Sequence, residues 1–282
     1  MTNILMATDL SARSDRALER AIGLAHARQA ALTVLHVVDE DMPASLAAAQ
    51  EAAAEQAIAE LTEALAAGDG PAVARKVVFG RAHADILATA ETVGADLIVL
   101  GMHREDAFKD MFRGTTAERV IRSGNAPVLL VKNRANGPYR RVMVAVDFSV
   151  YSRRAVEFAV TFVPDGEFHL VHAYDVPFKG FLHGRNTRTE ISKQHETQFQ
   201  NMVEDEMATF LASLEAKAPR LERIMEQGPV REVIFYQVQR LKPDLLVIGT
   251  HGRTGVAHAL LGSVAEDLLR APPCDVLAVK AW

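Results

Sequence analysis

Apolar and polar positions along the chain fall into two alternating kinds of segment. Short runs that are apolar on both sides of the backbone recur through the first half: "ILMA", "LTVLHVV", "RKVVF", "DLIVLG" and "VLLVK". Runs of this kind predict strands of a parallel sheet covered on both faces, because neither side of the strand is kept for water. Between them lie stretches with a helical period. In "SDRALERAIGLAHARQ", Ala17, Leu18, Ala21, Ile22 and Ala25 share one face, and Ser14 is the expected N-cap. "ASLAAAQEAAAEQAIAELTEAL" is alanine-rich with spaced glutamates, the composition of a long helix. Five strands and four helices per half predict a doubly wound α/β sheet. In such sheets ligands sit beyond the carboxyl ends of the strands, where the strand order reverses.

The pattern then returns. "NILMATDLS" (3–11) reappears as "RVMVAVDFS" (141–149), and "LTVLHVVD" (32–39) matches "FHLVHAYD" (168–175). "GTTAERVIRSGNAPVLLVK" (114–132) matches "GSVAEDLLRAPPCDVLAVK" (262–280). From Gly80 onward the offset holds at 148 residues: Gly80/Gly228, Gly101/Gly249, Gly114/Gly262, Lys132/Lys280. A period this long predicts two domains rather than a solenoid. The polar segment "KNRANGPYRR" (132–141) is the expected linker, which places the domains at 1–135 and 139–282.

Composition narrows the partners. The 282 residues are 49% hydrophobic and 24% charged, with a net charge of −5 and no basic block. Nucleic acid and an anionic membrane surface are therefore not expected partners. No apolar run approaches the ~20 residues of a spanning helix. The stretch "MTNILMATDL" enters a strand without a basic leader, and Cys274 is the one cysteine. A reducing, cytoplasmic setting is expected.

The candidate chemistry lies in "GTHGRTGVAHALLGS" (249–263), between a buried strand and a helix. A helix start presents unpaired N–H groups and about half a positive charge, which suits phosphate. Glycine lets the backbone approach an anion, and the Ser263 hydroxyl can cap the helix or donate to phosphate. Turn-forming glycines with no ligand are the other reading of the same spacing. No P-loop and no G-x-G-x-x-G fingerprint occurs.

The spacing Gly249-x2-Gly252-x9-Gly262-Ser263, with "VMVAVDFS", "LVHAYD" and "CDVLAVK", resembles the universal stress protein family, and the resemblance covers both halves. It implies a five-stranded sheet of order 3-2-1-4-5 in each half, with the last strands paired as an intrachain pseudo-dimer. It also implies an adenine nucleotide site. Asp147 matches the acid on the adenosine side, and Ala173 the residue whose backbone meets adenine. Gly249, Gly252, Gly262, Ser263 and Val264 match the phosphate-binding turn and helix start. ATP is the implied ligand, with Mg²⁺ held through its phosphates.

The first half departs from the motif. Gly101 and Gly114-Thr115 keep the outer spacing, but Arg104 replaces the middle glycine. A non-glycine at positive φ costs about 1 kcal/mol or more. Arg104 either blocks the phosphate space, reaches a phosphate as a cation, or is a plain surface residue. Asp9, Val37, Gly101, Arg104, Gly114 and Thr115 are accordingly expected to form a degenerate site that binds weakly or not at all. The second half also carries 12 extra residues around 176–190: His36 to Gly80 spans 44 residues, and His172 to Gly228 spans 56. A lid, a partner-binding flap and a solvated loop all fit that segment.

His36 and His172 recur at the same strand end and are expected to be packed or backbone-bonded. His169 and His172, three apart in a strand, point to opposite faces and make no metal pair. His103 and His251 lie in the glycine turns. Cys274 aligns with Ala126 and is expected to be a small buried residue. Three functions remain open: an ATP-binding stress or signalling module, a nucleotide-independent scaffold, and a slow ATPase or autophosphorylating enzyme with Ser263 nearest the phosphates. A homodimer or larger assembly is left open as well.

Overall fold

The fold is that of a computed structural model, which describes residues 1–65, 73–102, 115–175, 188–214, 220–251 and 261–280. The first half runs β1 (Asn3–Thr8), α1 (Ala12–Arg28), β2 (Ala31–Asp39), α2 (Ala44–Leu65), β3 (Val73–Gly80), α3 (Ala82–Thr92), β4 (Leu97–Gly101), α4 (Thr116–Ser123) and β5 (Val128–Val131). The second repeats it: β6 (Arg141–Ala145), α5 (Val150–Phe162), β7 (Glu167–Tyr174), α6 (Arg188–Ala212), β8 (Arg220–Gln227), α7 (Val230–Leu241), β9 (Leu245–Gly249), α8 (Ser263–Arg270) and β10 (Asp275–Val279).

The ten strands form one sheet of order β3-β2-β1-β4-β5-β10-β9-β6-β7-β8. Each half has the expected order 3-2-1-4-5. Within a half every pairing is parallel; the halves join through antiparallel β5 and β10. Leu129 faces Leu277, its own counterpart at the 148-residue offset, so the pseudo-two-fold passes between them. Both are fully buried, and burying a leucine contributes about 1.5–3 kcal/mol. The pairing also covers two strand edges that would otherwise invite association.

Alternation along the strands feeds two cores. Ile4, Met6, Val142 and Val144 pack under α1, α2, α5 and α6, in a cluster with Ala21, Ile58, Ala159 and Met207. Leu5 and Met143 face the other way, with Ile86, Val120, Val233 and Leu268 from α3, α4, α7 and α8. Both faces are covered, which is why the strands read as continuous apolar runs.

One local expectation is corrected. The N-cap of α1 is Ser11, whose hydroxyl accepts from Ser14 N; Ser14 is buried in the first turn. The segment between β5 and β6 is held closely. Tyr139 is 6% exposed, its hydroxyl donates to Asp275 at 2.6 Å, and the Arg20 guanidinium lies 4.1 Å from its ring centre. The amides of Lys132 and Asn133 both donate to Asp275 at 2.9 Å. Arg16 and Arg20 donate to the carbonyls of Lys132 and Gly137. The buried carboxylate of β10 thus pins the chain that joins the halves.

Candidate functional site

The carboxyl ends of β6, β7 and β9 meet where the strand order reverses, and the candidate residues collect there. After β6 the chain turns sharply. Asp147 Oδ1 accepts from Ser149 N at 3.0 Å and Ser149 Oγ at 2.5 Å, closing an Asx turn around Phe148. Phe148 takes φ 61°, a left-handed value that costs a non-glycine residue about 1 kcal/mol. Its ring stacks on His172, with centroids 4.1 Å apart, and lies 5.6 Å from Phe210. Ser149 then caps α5, accepting from Ser152 N.

His172 is explained by the same turn. Its Nδ1 lies 2.8 Å from Val146 O, and His36 Nδ1 lies 2.9 Å from Thr8 O. A carbonyl only accepts, so each Nδ1 carries the proton and ties one strand end to the next. Both histidines are backbone-bonded, as expected from the sequence. His169 faces Glu222 on β8, at 2.9 Å.

Ala173 sits on β7 opposite Glu226. With Ala145 it packs into the core that also holds Val264 and Ala265 of α8. Ala173 and the candidate phosphate helix therefore share one face of the sheet. Val37 occupies the equivalent place on β2, opposite Val78.

Gly249 has a role the sequence did not reveal. A Cβ there would stand 3.1 Å from Tyr151 C and 3.2 Å from Ser152 N. The first turn of α5 packs directly on the strand end. Gly101 is the same: its Cβ would meet Ser14 N at 3.1 Å. Both glycines admit a helix. Beyond Gly249, Thr250 is buried, its hydroxyl lies 2.9 Å from His251 Nδ1, and the His251 ring stands 4.9 Å from the Tyr151 ring.

The two last helices start differently. In α4, Thr115 is the N-cap, and a reciprocal capping box with Glu118 closes the helix start at 3.2 Å each way. In α8 the N-cap is Gly262, which has no side chain to cap with, and its amide donates to Thr250 O at 3.1 Å. Orphan amides at such a start are satisfied by water or by a ligand. Gly252, Arg104, Gly114, His103 and residues 176–187 lie outside the described residues, as do the side chains of 188–190. The described residues contain no group of three or more His, Cys, Asp or Glu side chains that could hold a metal ion. Cys274 is buried, and burial followed by the nearby Asp275 charge pushes its thiol up to about 12.

Residues 1–132 and 138–280 each match the universal stress protein family. The chain belongs to that family. Universal stress protein E of Escherichia coli is 26% identical over 201 residues, covering 66% of this chain and 61% of that protein. This chain thus spans about three-fifths of that relative's length. A universal stress protein of Methanocaldococcus jannaschii is 30% identical over 157 residues, or 54% of this chain and 87% of that one. Among solved structures, a universal stress protein from Archaeoglobus fulgidus covers 99% of this chain and 98% of its own, with a TM-score of 0.68 at 20% identity. One from Pseudomonas aeruginosa covers 99% and 93%, with a TM-score of 0.67 at 23% identity. These likenesses extend the universal stress fold across both halves and their junction. No helix among the described residues is long and apolar enough to cross a membrane.

Proposed function

We propose that the chain is a nucleotide-responsive universal stress protein whose second unit, residues 139–282, binds ATP. The first unit, residues 1–135, serves as its non-binding or weakly binding partner. The observation that carries this reading is the contrast at the two helix starts: Thr115 and Glu118 close the start of α4, whereas α8 begins on Gly262 and Ser263 with no side-chain cap among the described residues. Helix amides without a side-chain cap suit phosphate oxygens. Family membership and the placement of Asp147, Ala173 and Val264 around one strand-order reversal support an adenine nucleotide there. Mg²⁺ is carried by the phosphates. Bound nucleotide changes the surface around the α8 start, and this surface is the output.

Calorimetry with Mg-ATP, Mg-ADP and cAMP, together with mass spectrometry of freshly purified protein, tests the reading. One ATP per chain, weakened at least tenfold by Gly262→Asp, is expected. No nucleotide in the purified protein and no heat on titration would leave a nucleotide-independent scaffold. ADP with time-dependent phosphate release would make it a slow ATPase.

A further inference from the structure

The helices that open at the two candidate sites, α4 and α8, are joined across the pseudo-two-fold by reciprocal ion pairs. Arg122 Nη2 of α4 lies 3.4 Å from Glu266 Oε1 of α8, and Arg270 Nε of α8 lies 3.5 Å from Glu118 Oε1 of α4. The four residues are two pairs of equivalents at the 148-residue offset. Each glutamate stands in the first turn of its helix and each arginine in the last. A basic helix end thus meets an acidic helix start twice.

The two rungs differ in what they hold. Glu118 is 4% exposed and already accepts from Thr115 N through its other oxygen, so Arg270 reinforces a closed capping box. Glu266 belongs to the start whose N-cap is a glycine, and its side chain is 32% exposed. A carboxylate in the first turn favours the empty helix, because it complements the positive helix end, and it opposes an incoming anion. Arg122, from the other half, offsets that charge.

We propose, on the reading of the second half as the nucleotide-binding half, that Arg122 is a positioning residue contributed in cis by the first half. It sets the anion affinity of the α8 start by neutralising Glu266. The first half is thereby a built-in modulator. Whatever moves α4 against α8 changes how well the neighbouring half holds phosphate, and bound phosphate tightens the Arg122–Glu266 rung in return.

The test is Mg-ATP calorimetry on the full chain at low salt and in 0.5 M NaCl. The proteins are wild type, Arg122→Gln, Arg122→Lys, Glu266→Gln, the double variant Arg122→Gln/Glu266→Gln, and Arg270→Gln. For an anion of two or more charges within about 10 Å of the carboxylate, Coulomb's law in a water-like dielectric gives a change of about three- to tenfold. Arg122→Gln is expected to weaken ATP by that factor at low salt and by less in high salt. Arg122→Lys should restore affinity to within about twofold of wild type, since it keeps the charge at this site. Glu266→Gln should tighten ATP by about the same factor, and the double variant should return to within about twofold of wild type, a recovery that simple loss of packing at Arg122 would not produce. Arg270→Gln, on the other rung, should leave ATP affinity unchanged. Equal affinity for wild type and Arg122→Gln would overturn the proposal, as would a double variant that binds as weakly as Arg122→Gln alone. A wild type that binds no nucleotide would remove the nucleotide reading, and this inference with it.

Discussion

After β1 the chain turns through Leu10 at φ 58°, and after β6 it turns through Phe148 at φ 61°. In both halves an aspartate accepts from the serine amide two residues on, and a histidine on the next strand holds the carbonyl before the aspartate. The halves diverge at their other ends. Thr115 and Glu118 close the start of α4, while α8 starts on Gly262, which has no side chain to cap with. Pro127 begins the strand-end segment in one half where Asp275 stands in the other. What is common serves the sheet, and what differs lies at the last helix starts and the junction. A duplicated fold keeps the turns that its strands need and is free to change the groups that no strand depends on.

Four measurements break or sharpen this comparison, from the largest expected effect down. Asp275 is 1% exposed and holds Tyr139, Lys132 and Asn133. Asp275→Ala leaves buried donors unpaired and should cost about 3–5 kcal/mol in urea unfolding. Pro127→Ala, at the equivalent place, should cost no more than about 1 kcal/mol. Next, Gly249→Ala and Gly101→Ala each push a Cβ into the first turn of α5 or α1. Each should cost about 1–3 kcal/mol, and the two should be alike. Unequal costs would contradict a shared packing role.

The caps come third. Thr115→Ala should destabilise by about 1 kcal/mol, whereas Ser263→Ala should fall within about 0.5 kcal/mol of wild type yet weaken ATP. The smallest effect appears only in alkali. Burial, followed by the Asp275 charge, raises the Tyr139 phenol well above its usual value. A raised folded value contributes stability that is complete below the unfolded pKa of about 10 and is lost as pH rises through the folded one. Absorbance titration of the native chain should therefore show one phenol that stays un-ionised well above the usual range and that Tyr139→Phe removes. Tyr139→Phe should flatten the alkaline loss of stability.

Much of this fold was legible in the sequence because it is periodic. The apolar runs and the 148-residue offset give ten strands, and the stretch from Ala44 to Leu65 is helical over the length its alanines imply. What escaped depends on contacts distant in sequence. Ser14 reads as a cap from periodicity alone, yet the Asx turn at Asp9 places Ser11 there first. The linker's polar composition conceals Tyr139, which is buried only because Asp275 waits 136 residues later. Gly249 looked like part of a turn, and its neighbour is a helix that begins about a hundred residues earlier. The reciprocal Arg122/Glu266 and Arg270/Glu118 pairs had a signal: equivalent charges at the repeat offset, once the last strands are paired.

Crystals of the full chain grown with excess Mg-ATP test the central claim most directly. The account predicts one nucleotide per chain, with its phosphates at the amides of Gly262, Ser263 and Val264 and its adenine beside Ala173 and Asp147. A nucleotide at the Thr115 start instead, or the α8 start filled by the protein's own side chains, would contradict it.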